Sequence, residues 1–138
     1  METIHRGNAA EAAVLAALAA ADVPVLVPFG QGHGFDLAAI VPPRWALVRI
    51  QVKSGRVRRG CVEFNTCSTD HGNGRRDYTG RADVIAVHVP QLPQVLMVPV
   101  DECPPFRGFL RLEPPRNNQA KGVRFAATYN FDDWLRRL

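Results

Sequence analysis

The sequence predicts one α/β domain, 1–138, with a mixed central sheet, and three observations support this fold class. An alanine-rich helical segment comes first, apolar runs of strand length follow it, and short proline-, glycine- or polar-rich segments join the runs. The predicted order is one helix, three or four strands, a short helical piece and two more strands, which is typical of an α/β domain. A chain of 138 residues is long enough for one such domain with a sizeable core.

The first predicted element is a helix over 8–21, because alanine and leucine favour helices and the apolar residues repeat at helical spacing. Asn8 stands where an N-cap is expected, and Glu11 follows at the capping-box position. Val14, Leu15 and Leu18 share a predicted face with Glu11. Glu11 therefore has two interpretations: it caps the helix with Asn8, or it presents a carboxylate toward the sheet.

The runs after this helix predict a sheet whose first strand lies at an edge, because Pro24 lacks a backbone N–H. Between the strands, residues 55–60 are predicted as a basic hairpin turn, 65–80 as a polar, glycine-rich stretch and 77–82 as one helical turn. The predicted strands are 23–27, 35–41, 45–54, 61–64, 83–89 and 95–100; 108–112 is a further pairing segment, and 131–138 is a closing helix in which Trp134, Leu135 and Leu138 pack inward.

The strand at 45–54 has one polar and one apolar face. Residues 48, 50 and 52 are apolar, whereas Arg49, Gln51 and Lys53 lie on the other face. Asp36 lies in the preceding run, and a short Pro-Pro turn joins the two runs. A hairpin of these runs would bring Asp36, Gln51 and Lys53 together.

A carboxylate, an amide oxygen and an ammonium on one edge suit metal-assisted phosphodiester cleavage. Hard divalent ions prefer oxygen ligands, which Asp36, Gln51 and the main-chain carbonyl of Val52 offer. Lys53 would orient water or stabilise the transition state, and Glu11 would complete the ligand set if the helix packs over the sheet. The alternatives are a structural Asp36 held by a salt bridge or hydrogen bonds and a Lys53 exposed at a strand end.

The composition is that of an ordinary soluble globular chain, with 46% apolar and 22% charged residues. No apolar run approaches the roughly 20 residues of a membrane helix, and no signal peptide is recognisable, so the cytoplasm is the expected location. The three cysteines lack the paired spacing of a structural zinc site. They are interpreted as reduced thiols, with a metal or redox role for Cys61 and Cys67 as the alternative.

The net charge of +4 is concentrated between residues 49 and 81, where eight basic side chains face three acidic ones. This patch predicts a polyanionic partner; its alternative is a solvated, arginine-rich loop. A polar segment near the C-terminus also carries side chains suited to base edges or backbone. The predicted DNA-contacting residues are Arg56, Arg58, Arg59, Arg75, Arg76, Arg81, Arg116, Asn117, Asn118 and Gln119.

The pattern Gly7-x-x-x-Glu11 on a helix, Asp36 on a strand and Gln51-x-Lys53 on the next strand resembles the PD-(D/E)XK nuclease superfamily. Within it, the chain is most similar to the group I intron homing endonucleases and the archaeal-type Holliday junction resolvases. Ser54 after the lysine, and the stretch 78–83 leading into the apolar run 84–87, also resemble these proteins. The resemblance covers residues 5–100.

The resemblance implies a restriction endonuclease-like αβββαβ core flanked by helices, a DNA substrate and dependence on Mg²⁺ or Mn²⁺. It makes Glu11 the helix carboxylate, Asp36 the central metal ligand, Gln51 the second ligand and Lys53 the catalytic lysine. The chain departs from the family pattern at Gln51, where an acid is usual, so lower metal affinity is expected. Residues expected to support these four without binding the metal are Ser54, Tyr78 and Asp83.

The sequence therefore predicts a metal-dependent DNA endonuclease of the homing or junction-resolving type. A homodimer or homotetramer is expected, because a domain of this size covers little DNA and cutting two strands together needs two sites. One alternative is a non-catalytic DNA-binding protein on the same scaffold, with Gln51 marking lost metal binding. The other is a small enzyme that acts on RNA or a nucleotide.

Overall fold

Two α-helices and ten strands are the main elements of the described part of the protein, together with two short 3-10 helices at Val100–Glu102 and Ala126–Tyr129. The computed structural model describes residues 3–30, 32–70, 74–113 and 123–138. The elements are α1 (Thr3–Ala20), β1 (Val25–Leu26), β2 (Leu37–Val41), β3 (Ala46–Ser54), β4 (Arg56–Arg58), β5 (Cys61–Asn65), β6 (Cys67–Asp70), β7 (Gly74–Asp77), β8 (Val84–His88), β9 (Leu96–Pro99), β10 (Arg107–Arg111) and α2 (Phe131–Arg136).

The central sheet has the order β1-β2-β3-β8-β9. Strands β3 and β8 run parallel, and the other neighbouring pairs are antiparallel, so the sheet is mixed, as predicted. β1 lies at the edge, which confirms the interpretation of Pro24. A second sheet has the order β10-β5-β4, and β6 and β7 form a separate hairpin.

The core lies on both faces of the central sheet. On one face, α1 and α2 cover the sheet through side chains such as Val14, Leu18 and Trp134, which pack with Ile50 of β3. On the other face, β5 and β10 cover β8 and β9 through a second apolar cluster. Each fully buried aliphatic side chain contributes roughly 1.5–3 kcal/mol by its removal from water. The helix layer and the second sheet thus hold β8 between them, with Val84 and Ala86 in the first cluster and Ile85 and Val87 in the second.

The capping-box prediction for α1 was wrong. The helix begins at Thr3, so Asn8 lies in its interior and Glu11 lies near its middle rather than at its third position. The turn before Asn8 is near the end of β3, where the Ser54 hydroxyl donates to the Arg6 carbonyl at 3.3 Å. The capping interpretation of Glu11 is therefore excluded, and its carboxylate is available for another role.

The stretch from 55 to 80 contains more strand than predicted, namely β4, β6 and β7. The predicted helical turn is a single hydrogen-bonded turn, in which the backbone N–H groups of Arg81 and Ala82 both donate to the Tyr78 carbonyl at 2.8 and 3.0 Å. The pairing of 108–112 is confirmed by β10. The closing helix ends at Arg136, and Leu138 is 45% exposed, so its predicted burial was wrong.

None of the helices in the described ranges has the length and apolar character needed to cross a membrane.

Candidate active site

The candidate site lies beyond the first residue of β2, where β3 continues without β2 as its neighbour. Leu37 is the first residue of β2 and pairs with Ile50, whereas β3 extends to Ser54. Asp36, just before β2, still donates its backbone N–H to the Ile50 carbonyl at 2.8 Å. Its carboxylate oxygen Oδ2 accepts the backbone N–H of Val52 at 3.0 Å. The Asp36 side chain therefore takes the place of a backbone acceptor on this edge of β3.

Asp36 forms no ion pair with a basic side chain among the residues that the structure describes. A structural role in which a salt bridge holds Asp36 is therefore unsupported among these residues. The hydrogen bond to Val52 is the contact that positions this carboxylate.

The backbone of Val52 contacts both predicted strand ligands. Its N–H binds Asp36, and its carbonyl accepts the Gln51 amide nitrogen Nε2 at 3.2 Å. Half a turn about the terminal torsion exchanges the oxygen and nitrogen of a glutamine amide, which have nearly the same size. A cation beside the Val52 carbonyl would thus meet the Gln51 oxygen after that rotation.

Glu11 approaches this site from the helix layer. It is half-buried on α1, and its pKa is raised, first by burial and second by the negative charge of Asp36. A neighbouring like charge disfavours ionisation of a carboxyl group. The fold therefore brings together two carboxylates that lie far apart in sequence, and they repel each other.

Lys53 is held by one carbonyl and one aromatic ring. Its ammonium Nζ donates to the Cys67 carbonyl at 3.3 Å and lies 5.1 Å from the centre of the Tyr78 ring. Tyr78 is only 3% exposed. A cation over an aromatic face is attracted by the ring quadrupole, and the attraction is stronger away from water. Tyr78 and β6 therefore fix the position of the amine.

Arg81 connects the β6–β7 hairpin to the loop before Asp36. Its guanidinium carbon lies 4.9 Å from the centre of the Tyr78 ring, and Nη2 donates to the Asp77 carbonyl at 2.6 Å and to the Ser68 hydroxyl at 3.2 Å. Gly34 packs against this side chain, because a Cβ at Gly34 would lie 2.2 Å from the Arg81 Cβ. Arg81 is half-buried, and its role as a DNA contact stays a prediction.

The other two predicted supporting residues join neighbouring elements. Asp83, which precedes β8, accepts hydrogen bonds from Arg49 Nη2 at 3.1 Å and from the Arg49 backbone N–H at 2.7 Å. The hydrogen bond from the Arg49 side chain is the main reason that the pKa of Asp83 is lowered. Ser54 fastens the end of β3 to Arg6 of α1.

The divalent ion that the resemblance implies fits this donor set. In the described ranges no group of three or more His, Cys, Asp or Glu residues has a metal-binding arrangement. The available donors are therefore two carboxylates, Glu11 and Asp36, with the amide of Gln51 and the carbonyl of Val52. All four are oxygen donors of the kind that Mg²⁺ prefers. Burial is the main cause of the raised pKa of Glu11, and the negative charge of Asp36, its second cause, shows that the two carboxylates are close enough to interact.

The described DNA-contact candidates lie at the periphery of this site. Arg56 and Arg58 are on β4, Arg59 is in the turn after it, and Arg75 and Arg76 are on β7; all five are exposed. Residues Arg116, Asn117, Asn118 and Gln119 lie outside the described residues. The three cysteines are free and form no disulfide.

Two features of the site could not be found by sequence reasoning. The Cys67 carbonyl is a backbone group, so no residue type signals its contact with Lys53. Glu63 binds Arg56, Arg58 and Arg107, and the last of these comes from the distant strand β10. The one available signal for Glu63 was its position between the apolar residues Val62 and Phe64. Because side chains alternate along a strand, this position places Glu63 on the outer face of β5.

The fold is shared with a known nuclease structure. The structure of a bacterial homing endonuclease, I-Ssp6803I, matches with a TM-score of 0.75 at 21% identity, over 99% of this chain and 95% of that chain. A comparison with curated protein sequences finds no match. The model of the PD-(D/E)XK endonuclease family matches residues 1–132, a range that includes α1, Asp36 and the whole of β3. The chain therefore belongs to the PD-(D/E)XK endonuclease family.

Proposed function

We propose that the protein is a metal-dependent endonuclease that hydrolyses phosphodiester bonds in DNA, with Glu11, Asp36, Gln51 and Lys53 as its catalytic residues. Membership of the family supports nuclease chemistry. The hydrogen bond between Asp36 and the Val52 N–H supports this choice of residues, because it holds the carboxylate beside the segment that carries Gln51 and Lys53. A phosphate next to Val52 would meet an acid, an amide and an amine.

Mg²⁺ or Mn²⁺ is the cofactor in this proposal, held by Glu11, Asp36, Gln51 and the carbonyl of Val52. When bound, such an ion supplies an activated water and neutralises charge that develops on the phosphate. The two carboxylates already repel each other in the free protein, so a cation between them lowers the free energy of the site.

Lys53 acts on the phosphate itself. An ammonium has three N–H donors, and the Cys67 carbonyl accepts one of them. The remaining donors are available to phosphate oxygens, where a fixed positive charge stabilises the transition state more than the ground state. When the attacking water lies between the Lys53 amine and the phosphate, Lys53 also orients that water.

The substrate in this proposal is duplex or branched DNA, cut in the manner of a homing endonuclease or a junction resolvase, with 5′-phosphate products. The family and the fold shared with a homing endonuclease support this class. The active form is a homodimer or homotetramer located in the cytoplasm. Large exposed apolar side chains support self-association; they lie on and after β1 and around the start of β3, and they are Leu26, Val27, Phe29, Trp45 and Leu47.

Nicking of supercoiled DNA and cutting of a four-way junction in Mg²⁺ or Mn²⁺ tests the proposal. Lys53→Ala and Asp36→Ala are each expected to slow cleavage by at least about 100-fold, because each removes a charge that acts on the phosphate or its metal. Both variants should still bind DNA. Arg136→Gln, an exposed charge change on α2, is the matched control. Wild-type protein that cuts neither substrate in either ion would contradict the proposal.

The alternative is a non-catalytic DNA-binding protein on the same scaffold. One observation favours it: position 51 carries the neutral amide of Gln51 where the family pattern usually has an acid. The same assay separates the two functions, since this alternative requires DNA binding with no cleavage in either ion. A competition between duplex DNA and RNA at fixed salt addresses an RNA substrate.

A further inference from the structure

The second sheet has an outer face that the catalytic proposal does not use. Strand β5 lies between β4 and β10, and its residues Val62 and Phe64 point into the core together with Leu110 of β10. Side chains alternate along a strand, so Glu63 and the residues paired beside it lie on the opposite, outer face. That face carries arginines, an asparagine and an exposed aromatic ring: Arg56, Arg58, Asn65, Arg107, Phe109 and Arg111.

Glu63 is the centre of an arginine cluster formed with Arg56, Arg58 and Arg107. Its carboxylate lies 2.9 Å from Arg107 and 3.8 Å from each of Arg56 and Arg58. The Glu63 side chain is 9% exposed, whereas the side chains of Arg56, Arg58 and Arg107 are 61%, 53% and 51% exposed, respectively. The carboxylate is therefore buried beneath guanidinium groups that are themselves open to a ligand.

The charges of this cluster do not balance. One carboxylate opposes three guanidinium groups, so the cluster keeps an excess of positive charge. Each guanidinium has five N–H donors, whereas a carboxylate offers about four acceptor positions in total. Most of the donors of Arg56, Arg58 and Arg107 therefore remain available to a ligand with many acceptors, such as a row of phosphates.

The cluster is continuous with the candidate active site. One groove is lined both by Lys53 and Ser54 of β3 and by Arg56, Glu63 and Arg107 of the cluster. Arg107 also borders a second depression with Arg75 of β7, whose guanidinium lies 5.6 Å from the Phe106 ring centre. Positive side chains therefore follow the surface from the catalytic lysine to the β6–β7 hairpin.

We propose that the outer face of the β4–β5–β10 sheet binds the phosphate backbone of DNA beside the cleaved bond, with Glu63 holding Arg56, Arg58 and Arg107 in position. The inference rests on the proposed function for its choice of DNA. Arginine contacts of this kind position a duplex without reading its sequence.

Arg107 is the residue that sequence reasoning did not assign, so its substitution is the sharpest test. Affinity for a labelled DNA duplex is measured over a series of salt concentrations, in a Lys53→Ala background that keeps the DNA intact. Arg107→Gln and Arg56→Gln are each expected to weaken binding about tenfold. Each should also reduce the slope of log K against log salt by about 0.9, the change expected for one lost phosphate contact.

Arg136→Gln is the matched control, because it removes the same charge from a side chain that is 72% exposed on α2. The inference is overturned if Arg56→Gln and Arg107→Gln bind DNA as tightly as this control, or if an RNA duplex binds more tightly than DNA. Thermal unfolding verifies that each variant is folded. Protein that binds DNA through these arginines but never cleaves it would contradict the proposed function and leave this inference standing.

Discussion

The acidic pair of Glu11 and Asp36 and the arginine cluster around Glu63 are both unbalanced in charge, but with opposite sign. In the acidic pair, the charge of Asp36 helps to raise the pKa of Glu11. In the arginine cluster, three guanidinium groups share one carboxylate. A ligand of opposite charge would stabilise each region, a divalent cation in the first and a polyanion in the second. A glutamate is therefore expected to destabilise the free protein at position 11 and to stabilise it at position 63.

The largest effect is expected from disturbing Lys53 while both charge clusters stay intact. Tyr78→Leu removes the ring beneath the ammonium and leaves the amine less well placed, so single-turnover cleavage at saturating DNA should fall about 100-fold. Tyr78→Phe keeps the ring and should retain most of the activity, whereas equal rates for the two variants would exclude a positioning role for Tyr78. DNA binding by both variants verifies that the buried site still folds.

Gln51→Glu adds a negative charge beside the acidic pair and should increase the difference in charge between the acidic pair and the arginine cluster. A third carboxylate beside Asp36 is expected to tighten Mn²⁺ binding about tenfold, because the charge of the ligands sets the affinity of oxygen sites for divalent ions. Calorimetric titration of the DNA-free protein with Mn²⁺ measures this change. An unchanged dissociation constant would place Gln51 outside the metal site.

Glu63→Gln removes the one acid of the arginine cluster. The free energy of unfolding in urea should fall by about 1 kcal/mol, because the guanidinium groups then repel each other without a counter-charge. The loss is small because these arginines are half exposed and water screens their charges. At high salt the difference between the variant and the wild type should shrink through screening. A variant as stable as the wild type at low salt would show that Glu63 does not hold the cluster together.

Glu11→Gln should have the opposite and smallest effect, a modest rise in the melting temperature at neutral pH without divalent ions. The pKa of Glu11 is raised in the folded protein, so the folded protein binds a proton at Glu11 more tightly than the unfolded chain does. Stability from this group is greatest below the ordinary pKa of 4.5 and falls as the pH rises through the higher folded value.

Melting temperatures in a metal chelator, between about pH 4 and about pH 8, measure this effect. The higher melting temperature of the Glu11→Gln variant relative to the wild type should appear as the pH rises. This difference should shrink when Mg²⁺ is added to the wild type. A variant that is less stable at neutral pH would contradict the repulsion between Glu11 and Asp36. Its cleavage rate is expected to fall even where its stability increases.

Local patterns were enough to predict the parts of the site that lie on one strand. Alternation along 45–54 placed Gln51 and Lys53 on one face and Ile50 and Val52 on the other, and the structure confirms this, since Ile50 and Val52 are buried beneath α1. The mixed sheet was also predictable, because strand-length apolar runs follow a single long helix. These features depend on neighbours within a few residues.

The parts that could not be predicted depend on contacts between distant segments. The start of α1 was misplaced because Asn8 offered a local cap, whereas the helix continues back to Thr3 and contacts the end of β3 through Arg6. The hairpin that holds Lys53 has polar strands with little apolar alternation, so its pairing is visible only in the fold. The same holds for Arg107, which reaches Glu63 only because β10 pairs with β5.

The close packing of Gly34 against Arg81 makes this position sensitive to a single added methyl group. A Cβ there would overlap the Arg81 side chain, so the loop that leads to Asp36 and the turn that begins at Tyr78 would have to separate. Overpacking of this kind costs roughly 1–3 kcal/mol. Gly34→Ala is therefore expected to give a temperature-sensitive protein, and position 34 is one to leave unchanged when this scaffold is engineered.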